Sequence, residues 1–329
     1  MKAAIYKGIG GAKDVIVVGD VAEPLLGPER VLVRVHASGL NRADILQRRG
    51  LYPPPPGAAL NIPGLEFSGT VQAIGPGVQF INPGQRVFGI TSGGAQAELV
   101  SVHERLLAVI PNNLSFVEAA AVPEAFIAAA DALFHQASLQ SGETVLIHTI
   151  GSGVGTAALQ LAHTAGCRVL GTSRTTAKLD LAIGLGLDVA INTQRESFLE
   201  AVNRATHGAG VNVLIDTIGS PALGDNLQAL SPHGRLVVLG LLGGTNADID
   251  LLTLLNKRVS LIGSQLRTRP FEDKCLAVQR FARSVVPQLE RGLIRPIVAR
   301  VFSIEELAAA HEYMERDENF GKVVISIRD

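Results

Sequence analysis

Five consecutive residues, Gly151-Ser152-Gly153-Val154-Gly155, have the composition of a phosphate-binding turn. Glycines without a Cβ let a backbone approach a pyrophosphate closely. The run Thr144 to Thr149 before them reads as a buried strand, and Thr156 to Ala165 after them reads as a helix stopped by Gly166. A helix starting there aims free N–H groups and the positive end of its dipole at the anion. The loop departs from G-x-G-x-x-G: Ile150 stands where the first glycine would be, and Ser152 stands at the third-position glycine. The end of the next strand reads Gly171-Thr172-Ser173-Arg174, with Lys178 four residues beyond Arg174. Enzymes selective for NAD place a carboxylate there for the ribose 2′-hydroxyl. Here Ser173 takes that position, and Arg174 and Lys178 offer positive charge to a 2′-phosphate. The expected cofactor is therefore NADPH, against the plainer reading of a tight turn flanked by solvated surface charges.

The elements that must position these residues follow the alternation of strand and helix from Glu143 onward. Strands are expected at Thr144 to Thr149, Cys167 to Thr172, Val189 to Asn192, Val211 to Thr217, Arg235 to Gly240 and Val259 to Ile262. Helices between them are expected at Thr176 to Leu185, Glu196 to Thr206 and Pro221 to Leu230. Six strands in this rhythm predict an α/β fold with a parallel, doubly wound Rossmann sheet. The first third is different. Val31 to Ala37 alternates with period two, and turn signals recur at Pro53 to Gly57, Gly75 to Gly77 and Asn82 to Gly84. This predicts a β-rich, barrel-like domain with further strands at Thr70 to Ile74 and Arg86 to Ile90. Ser115 and Glu118 form a capping box that opens an Ala-rich helix interrupted at Pro123. The tail adds a helix near Phe271 to Arg291, a strand at Pro296 to Phe302, a helix at Ile304 to Arg316 and a strand at Lys322 to Ile327.

Composition narrows the function classes. Charged residues are 18 % of the 329, and 29 basic against 30 acidic side chains leave a net charge of −1. Neither nucleic acid nor an anionic membrane is an expected partner. The start of the chain lacks the apolar run of a secretory signal, and no run approaches a membrane span, so a cytoplasmic location is expected. Two cysteines, Cys167 and Cys275, exclude a four-cysteine structural zinc site.

Several segments carry a resemblance that spans essentially the whole chain. They are Ser38-Gly-Leu-Asn-Arg-Ala-Asp44, Gln47-Arg-Arg-Gly-Leu-Tyr52 with the proline run to Gly57, Pro63-Gly-Leu-Glu-Phe-Ser-Gly69 and Ala119-Ala-Ala-Val-Pro-Glu124. His148 to Gly155, Leu214 to Gly219, Leu239 to Leu242 and Gly321 to Val324 complete the set. The chain resembles the zinc-free, zeta-crystallin-like quinone oxidoreductases of the medium-chain dehydrogenase/reductase superfamily, with its nearest pattern in the p53-inducible branch. The resemblance implies a GroES-like catalytic domain over 1–121, completed by 268–329, and a Rossmann NADPH-binding domain over 122–267. Zinc-containing relatives have a cysteine where Asn41 stands, and their Gly-His-Glu reads Gly64-Leu65-Glu66 here, which implies no metal.

The resemblance also implies a site. Asn41 would contact the nicotinamide ribose or the acceptor, and Tyr52 would line the substrate cleft and donate to a quinone oxygen. Pro123, Glu124 and Ala128 would border the nicotinamide, although relatives often carry Thr at Ala128. Thr193 would sit at the adenosine end, where relatives often carry Tyr. Ile218, Gly219, Leu241 and Leu242 would follow the cofactor along the cleft. Ser264, Gln265, Leu266, Phe320 and Lys322 would close it. His148 is expected to end a buried strand, and Glu66 to make a structural hydrogen bond. A homodimer is expected, paired through the apolar strands Arg235 to Leu242 and Val259 to Leu266. The expected reaction is hydride transfer from NADPH to a quinone. The alternatives are an alkenal or enoyl double-bond reductase, and an NADPH-binding structural or RNA-binding protein without turnover.

Overall fold

The computed structural model describes residues 1–59 and 61–328. The chain forms two compact units, Ala128–Gln265 and the remainder, Met1–Ile127 with Leu266–Asp329.

The unit Ala128–Gln265 is built on a six-stranded sheet that is parallel throughout. Across the sheet the strands run Val189–Asn192, Arg168–Ser173, Thr144–Ile147, Val211–Asp216, Leu230–Val238 and Ser260–Gly263. Numbered along the chain this is the order 3-2-1-4-5-6 of the doubly wound fold. Continuous apolar runs suit strands covered on both faces. Leu146, Leu170, Leu214 and Leu236 are fully buried on four neighbouring strands, with Val202 and Leu227 of the helices packed against them.

In this unit two element starts differ from the sequence expectation by more than two residues. The helix after the first strand covers Gly153–Thr164, so half of the glycine loop is already its first turn. Ser152 is the reason: its Oγ accepts the Gly155 N–H at 2.9 Å and caps the helix three residues early. The fifth strand begins at Leu230 rather than Arg235, but its pairing shifts between Val211 and Val213, and regular register runs from Arg235. The helix Leu251–Lys257, capped by Asp250, was not anticipated.

The other unit contains a seven-stranded sheet and a separate antiparallel pair, Lys2–Tyr6 with Ile16–Asp20. The larger sheet runs Val298–Ser303, Lys322–Ser326, Arg30–Leu40, Glu66–Ile74, Arg86–Ile90, Leu107–Val109, and Leu99–His103 pairs separately with Arg30–Leu40. The long strand Arg30–Leu40 shifts register twice against Glu66–Ile74, between Leu32 and Val33 and between Val35 and Ala37. Such bulges bend a strand, and this one pairs with three others. Val31, Val33 and Val35 are inaccessible to solvent, in one core with Phe67, Val87 and Ile325. Burying each side chain of this size contributes about 1.5–3 kcal/mol. The Ser115 capping box forms as expected, with the Glu118 carboxylate accepting the Ser115 N–H at 2.9 Å. Among the described residues no helix is long and apolar enough to cross a membrane.

Candidate functional site

The first and fourth strands of the parallel sheet are neighbours whose connections leave in opposite directions, the topological switch point at which such sheets bind ligands. His148 follows the first strand and is buried. Its Nδ1 lies 2.9 Å from Thr172 Oγ1 and its Nε2 2.7 Å from Asn226 Oδ1. Burial lowers its pKa, outweighing the opposing effects of Asn226 and Asp216. With both ring nitrogens engaged, His148 ties the strand end to its neighbours. Thr149 then takes a left-handed backbone, φ 50°, which is costly for a β-branched residue. Its hydroxyl lies 2.7 Å from that of Thr217 at the end of the fourth strand, joining the two sides of the switch point.

Gly155 has no room for a side chain. A Cβ there would lie 2.5 Å from Thr149 O and 2.7 Å from Ile150 O, so only glycine lets the helix Gly153–Thr164 start this close to the strand. Gly151, Ser152, Gly153, Val154 and Gly155 thus form the tight strand-to-helix turn, with Gly151 and Gly155 buried and the three between them partly open. On the fourth strand the buried Asp216 carboxylate accepts the Ile218 N–H at 2.7 Å and the Gly219 N–H at 3.2 Å. Gly219 has φ 81°, and a Cβ would sit 2.7 Å from Gly244 O. Gly219 and Leu241 line a cavity of about 330 Å³ with Asp216, Val238 and Gly263. Leu242 is more than half exposed and donates its N–H to Thr217 O.

The second and third strands end side by side, with Ser173 opposite Asn192. Ser173 O accepts the Thr193 N–H at 3.0 Å. Arg174 is exposed and Lys178 half-buried at the start of the helix Thr176–Ile183. Ser173, Arg174, Lys178 and Thr193 therefore share one corner of the sheet. Ser264 donates its N–H to Val238 O at 3.0 Å, Gln265 is exposed, Leu266 is buried and Ala128 is half-buried.

The mixed sheet builds a second polar site. Arg30–Leu40 lies between Lys322–Ser326 and Glu66–Ile74, with Leu40 opposite Val323 and Gly39 opposite Glu66. A Cβ on Gly39 would lie 2.3 Å from Glu66 Oε1, so the glycine leaves the gap through which Lys322 and Glu66 meet. The ion pair is 2.5 Å long, with Lys322 6 % and Glu66 0 % exposed at the side chain. Lys322 Nζ also donates to Leu40 O at 2.9 Å and Asn41 Oδ1 at 2.7 Å. Asn41 Nδ2 donates to Glu66 Oε1 at 2.8 Å, and the Glu124 backbone N–H donates to Glu66 Oε2 at 2.8 Å. Asn41 is also the N-cap of the helix Arg42–Arg48, its N–H bonded to Asp44 Oδ2 at 2.8 Å. Asp44 accepts the Gly64 N–H as well, and burial raises its pKa to about 6.

Glu124 stands in the first turn of the helix Pro123–Ala130, directly after the buried Pro123. Desolvation, reinforced by the Glu66 charge, pushes its pKa up to about 8. The Arg267 guanidinium lies 5.2 Å from the ring centroid of Tyr52. Arg267 also donates to Ser92 O and to Gln47 Oε1. Phe320 is half-buried two residues before Lys322. Of the anticipated residues, Asn41, Glu124 and Lys322 come together around Glu66. Asp44, Gly39 and Arg267 were not anticipated. The sequence signal for Asp44 was its spacing from Asn41, which is that of a capping box. Gly39 and Arg267 matter only through strand register and a long-range contact. Among the described residues, no three His, Cys, Asp or Glu side chains are grouped to hold a metal ion.

Comparison with known proteins agrees with this architecture. Residues 27–112 match the alcohol dehydrogenase GroES-like domain, and residues 153–283 match the zinc-binding dehydrogenase family. The quinone oxidoreductase-like protein 2 of Mus musculus is 33 % identical over 318 residues, 96 % of this chain and 90 % of that protein. The quinone oxidoreductase of Sus scrofa is 31 % identical over 304 residues, 92 % of this chain and 90 % of its own. Among solved structures, an NAD-dependent alcohol dehydrogenase superposes with a TM-score of 0.89 at 29 % identity, covering 100 % of both chains. The quinone oxidoreductase of Pseudomonas syringae superposes with a TM-score of 0.88 at 26 % identity, over 99 % of each chain. With a GroES-like domain, a Rossmann sheet and full-length relatives above 30 % identity, the chain belongs to the quinone oxidoreductase family and is an oxidoreductase of the medium-chain dehydrogenase/reductase superfamily.

Proposed function

We propose that this chain reduces quinones with NADPH and without a metal. The observation that carries the metal-free reading is the Lys322–Glu66 ion pair beside Asn41. The carboxylate that could have supported a cation already holds an ammonium, and a divalent ion brought to it would meet that positive charge at close range. A quinone needs no Lewis acid, because it is already an electrophile.

The residues present fit a phosphorylated dinucleotide. Gly151 to Gly155 would receive the pyrophosphate, in a turn where Gly155 excludes any side chain. Ser173, Arg174 and Lys178 would take the 2′-phosphate, and Thr193 the adenosine end. Ile218, Gly219, Leu241, Leu242, Ser264, Gln265 and Leu266 would hold the rest of the cofactor, with Pro123, Glu124 and Ala128 at the nicotinamide. When bound, the reduced nicotinamide supplies a hydride. Asn41, oriented by Lys322 and Glu66, keeps a lone pair on Oδ1 for a ribose hydroxyl. Tyr52 and Phe320 would border the acceptor, and Tyr52 would donate to one of its oxygens.

A homodimer is part of this proposal. Ser260–Gly263 is the edge strand of its sheet, and Leu261 is 40 % exposed on it. An unpaired apolar edge favours pairing with a second copy, and a monomeric mass in solution at micromolar concentration would refute it. The proposed site of action is the cytoplasm.

The deciding experiment follows NADPH oxidation by metal-stripped protein with ortho- and para-quinones beside an enal such as crotonaldehyde. Turnover of quinones supports the proposal. Turnover of the enal alone moves the protein to the double-bond reductases, for which Tyr52 or Glu124 would supply the proton to the α-carbon of the enolate. No turnover with any acceptor points to a binding protein.

A further inference from the structure

We propose that Glu124 is the proton donor of the reaction, a neutral carboxylic acid that protonates the oxygen of the reduced quinone. The proposal rests on the reading of quinone reduction given above. Converting a quinone to a hydroquinone takes up one hydride and one proton. The hydride is the cofactor's contribution. The proton must come from a group that holds one at neutral pH and can release it in place.

The charged groups facing Glu124 are Glu66, Asp44, Lys322 and Arg267, and Lys274 responds to its charge. Each of these five is tied down. Glu66 accepts from Lys322, Asn41 and the Glu124 backbone. Asp44 accepts two backbone N–H groups. Lys322 donates to Leu40, Asn41 and Glu66. Arg267 is held by Ser92 and Gln47, and Lys274 donates to Ser92 Oγ and Arg267 O. The Glu124 carboxyl alone in this group makes no hydrogen bond to any described residue. It is also the only acid of the three that keeps part of its surface open, since Glu66 and Asp44 are fully buried.

This geometry decides the protonation state. The backbone N–H of Glu124 binds Glu66 and so fixes a carboxylate close to the Glu124 side chain, while Lys322 is committed to Glu66. Two neighbouring carboxylates with one committed cation favour one proton between them, and Glu124, which has no donor to stabilise its anion, is the one to hold it. Its pKa near 8 agrees with this arrangement and lies close to the working pH, where a general acid is most effective. In the step, the Glu124 O–H bond breaks and an O–H bond forms on the reduced acceptor. The carboxylate left behind is reprotonated from water through its open side.

The test has two parts. Infrared difference spectra of the cofactor-free protein, titrated from neutral to alkaline pH, should show a carboxylic acid band that disappears through about pH 8 and is absent from Glu124→Gln. A band that titrates through about pH 8 equally in both proteins, or no acid band in the wild type at neutral pH, overturns the proposal. In turnover, Glu124→Gln should lose about 10²-fold or more in kcat with little change in KM for NADPH, and Glu124→Asp should recover part of the loss. Because Gln preserves volume and stays neutral, its thermal unfolding near pH 6 should be no lower than the wild type's, which excludes misfolding. A wild type that reduces quinones beside a Gln variant of equal kcat overturns the proton-donor role alone. A wild type inactive with quinones overturns both this role and the quinone reading.

Discussion

Removing the Lys322 ammonium while preserving its length, as in Lys322→Met, tests the construction of the polar site. The side chain is 6 % exposed, and its partner Glu66 is fully buried. It makes three contacts at once, to Glu66 at 2.5 Å, Asn41 Oδ1 at 2.7 Å and Leu40 O at 2.9 Å. Removing one member of a buried pair leaves an uncompensated charge and costs about 3–5 kcal/mol. In a unit of this size each kcal/mol moves the Tm by roughly 2–4 °C, so a fall on the order of 10 °C is expected. The protein has no tryptophan, so differential scanning calorimetry is the assay, and it resolves the two units if they melt separately. Adding Glu66→Gln should restore about half of the loss, because the neutral amide no longer needs a countercharge and can still accept the Glu124 N–H. A single variant that melts within about 2 °C of the wild type would show that the pair contributes nothing, and a double variant less stable than the single one would show that the charge is not the cause.

Three further outcomes are expected. Gly155→Ala should cost about 1–3 kcal/mol through overpacking and weaken NADPH binding, because its Cβ would lie 2.5 Å from Thr149 O; unchanged stability and affinity would remove Gly155 from the cradle. Arg174→Ala should weaken NADPH by about tenfold or more and NADH little, measured by nicotinamide fluorescence titration, and an equal loss for both would mean that Arg174 does not read the 2′-phosphate. Glu124 links stability to pH: its folded pKa of about 8 lies above the ordinary 4.5, so the folded state binds the extra proton. Its contribution is fully present below about 4.5 and is lost as pH rises through about 8. Glu124→Gln should therefore gain stability relative to the wild type as pH rises from 6 to about 9, by on the order of a few kcal/mol, read as a rising Tm difference, and a constant difference across that range would refute the link.

What the sequence determined by itself lies where the physics is local. Strand and helix periods alternate within a few residues of one another, so the parallel sheet was legible from Thr144 to Ile262. The Ser115–Glu118 capping box closes over four residues and formed as read. The same kind of signal lay in Asn41 and Asp44, whose helix Arg42–Arg48 could have been read from it. The helix start at Gly153 was missed because Ser152 was read as a departure from a glycine pattern and not as the cap it is.

The tertiary structure alone decided the polar site of the mixed sheet. Glu66 and Lys322 are 256 positions apart, and no local pattern links them. They meet because the strands carrying them flank Arg30–Leu40, in a register that puts Gly39 opposite Glu66 and Leu40 opposite Val323. The missing side chain at Gly39 is what opens the way between them. Arg267 reaches Gln47 and the ring of Tyr52 across a similar separation. The protonation of Glu124 follows from that assembly, since it depends on which charges surround the carboxyl and which cation is already committed. Residue type and spacing can place a carboxylate in a helix, but only the folded chain sets the charges around it.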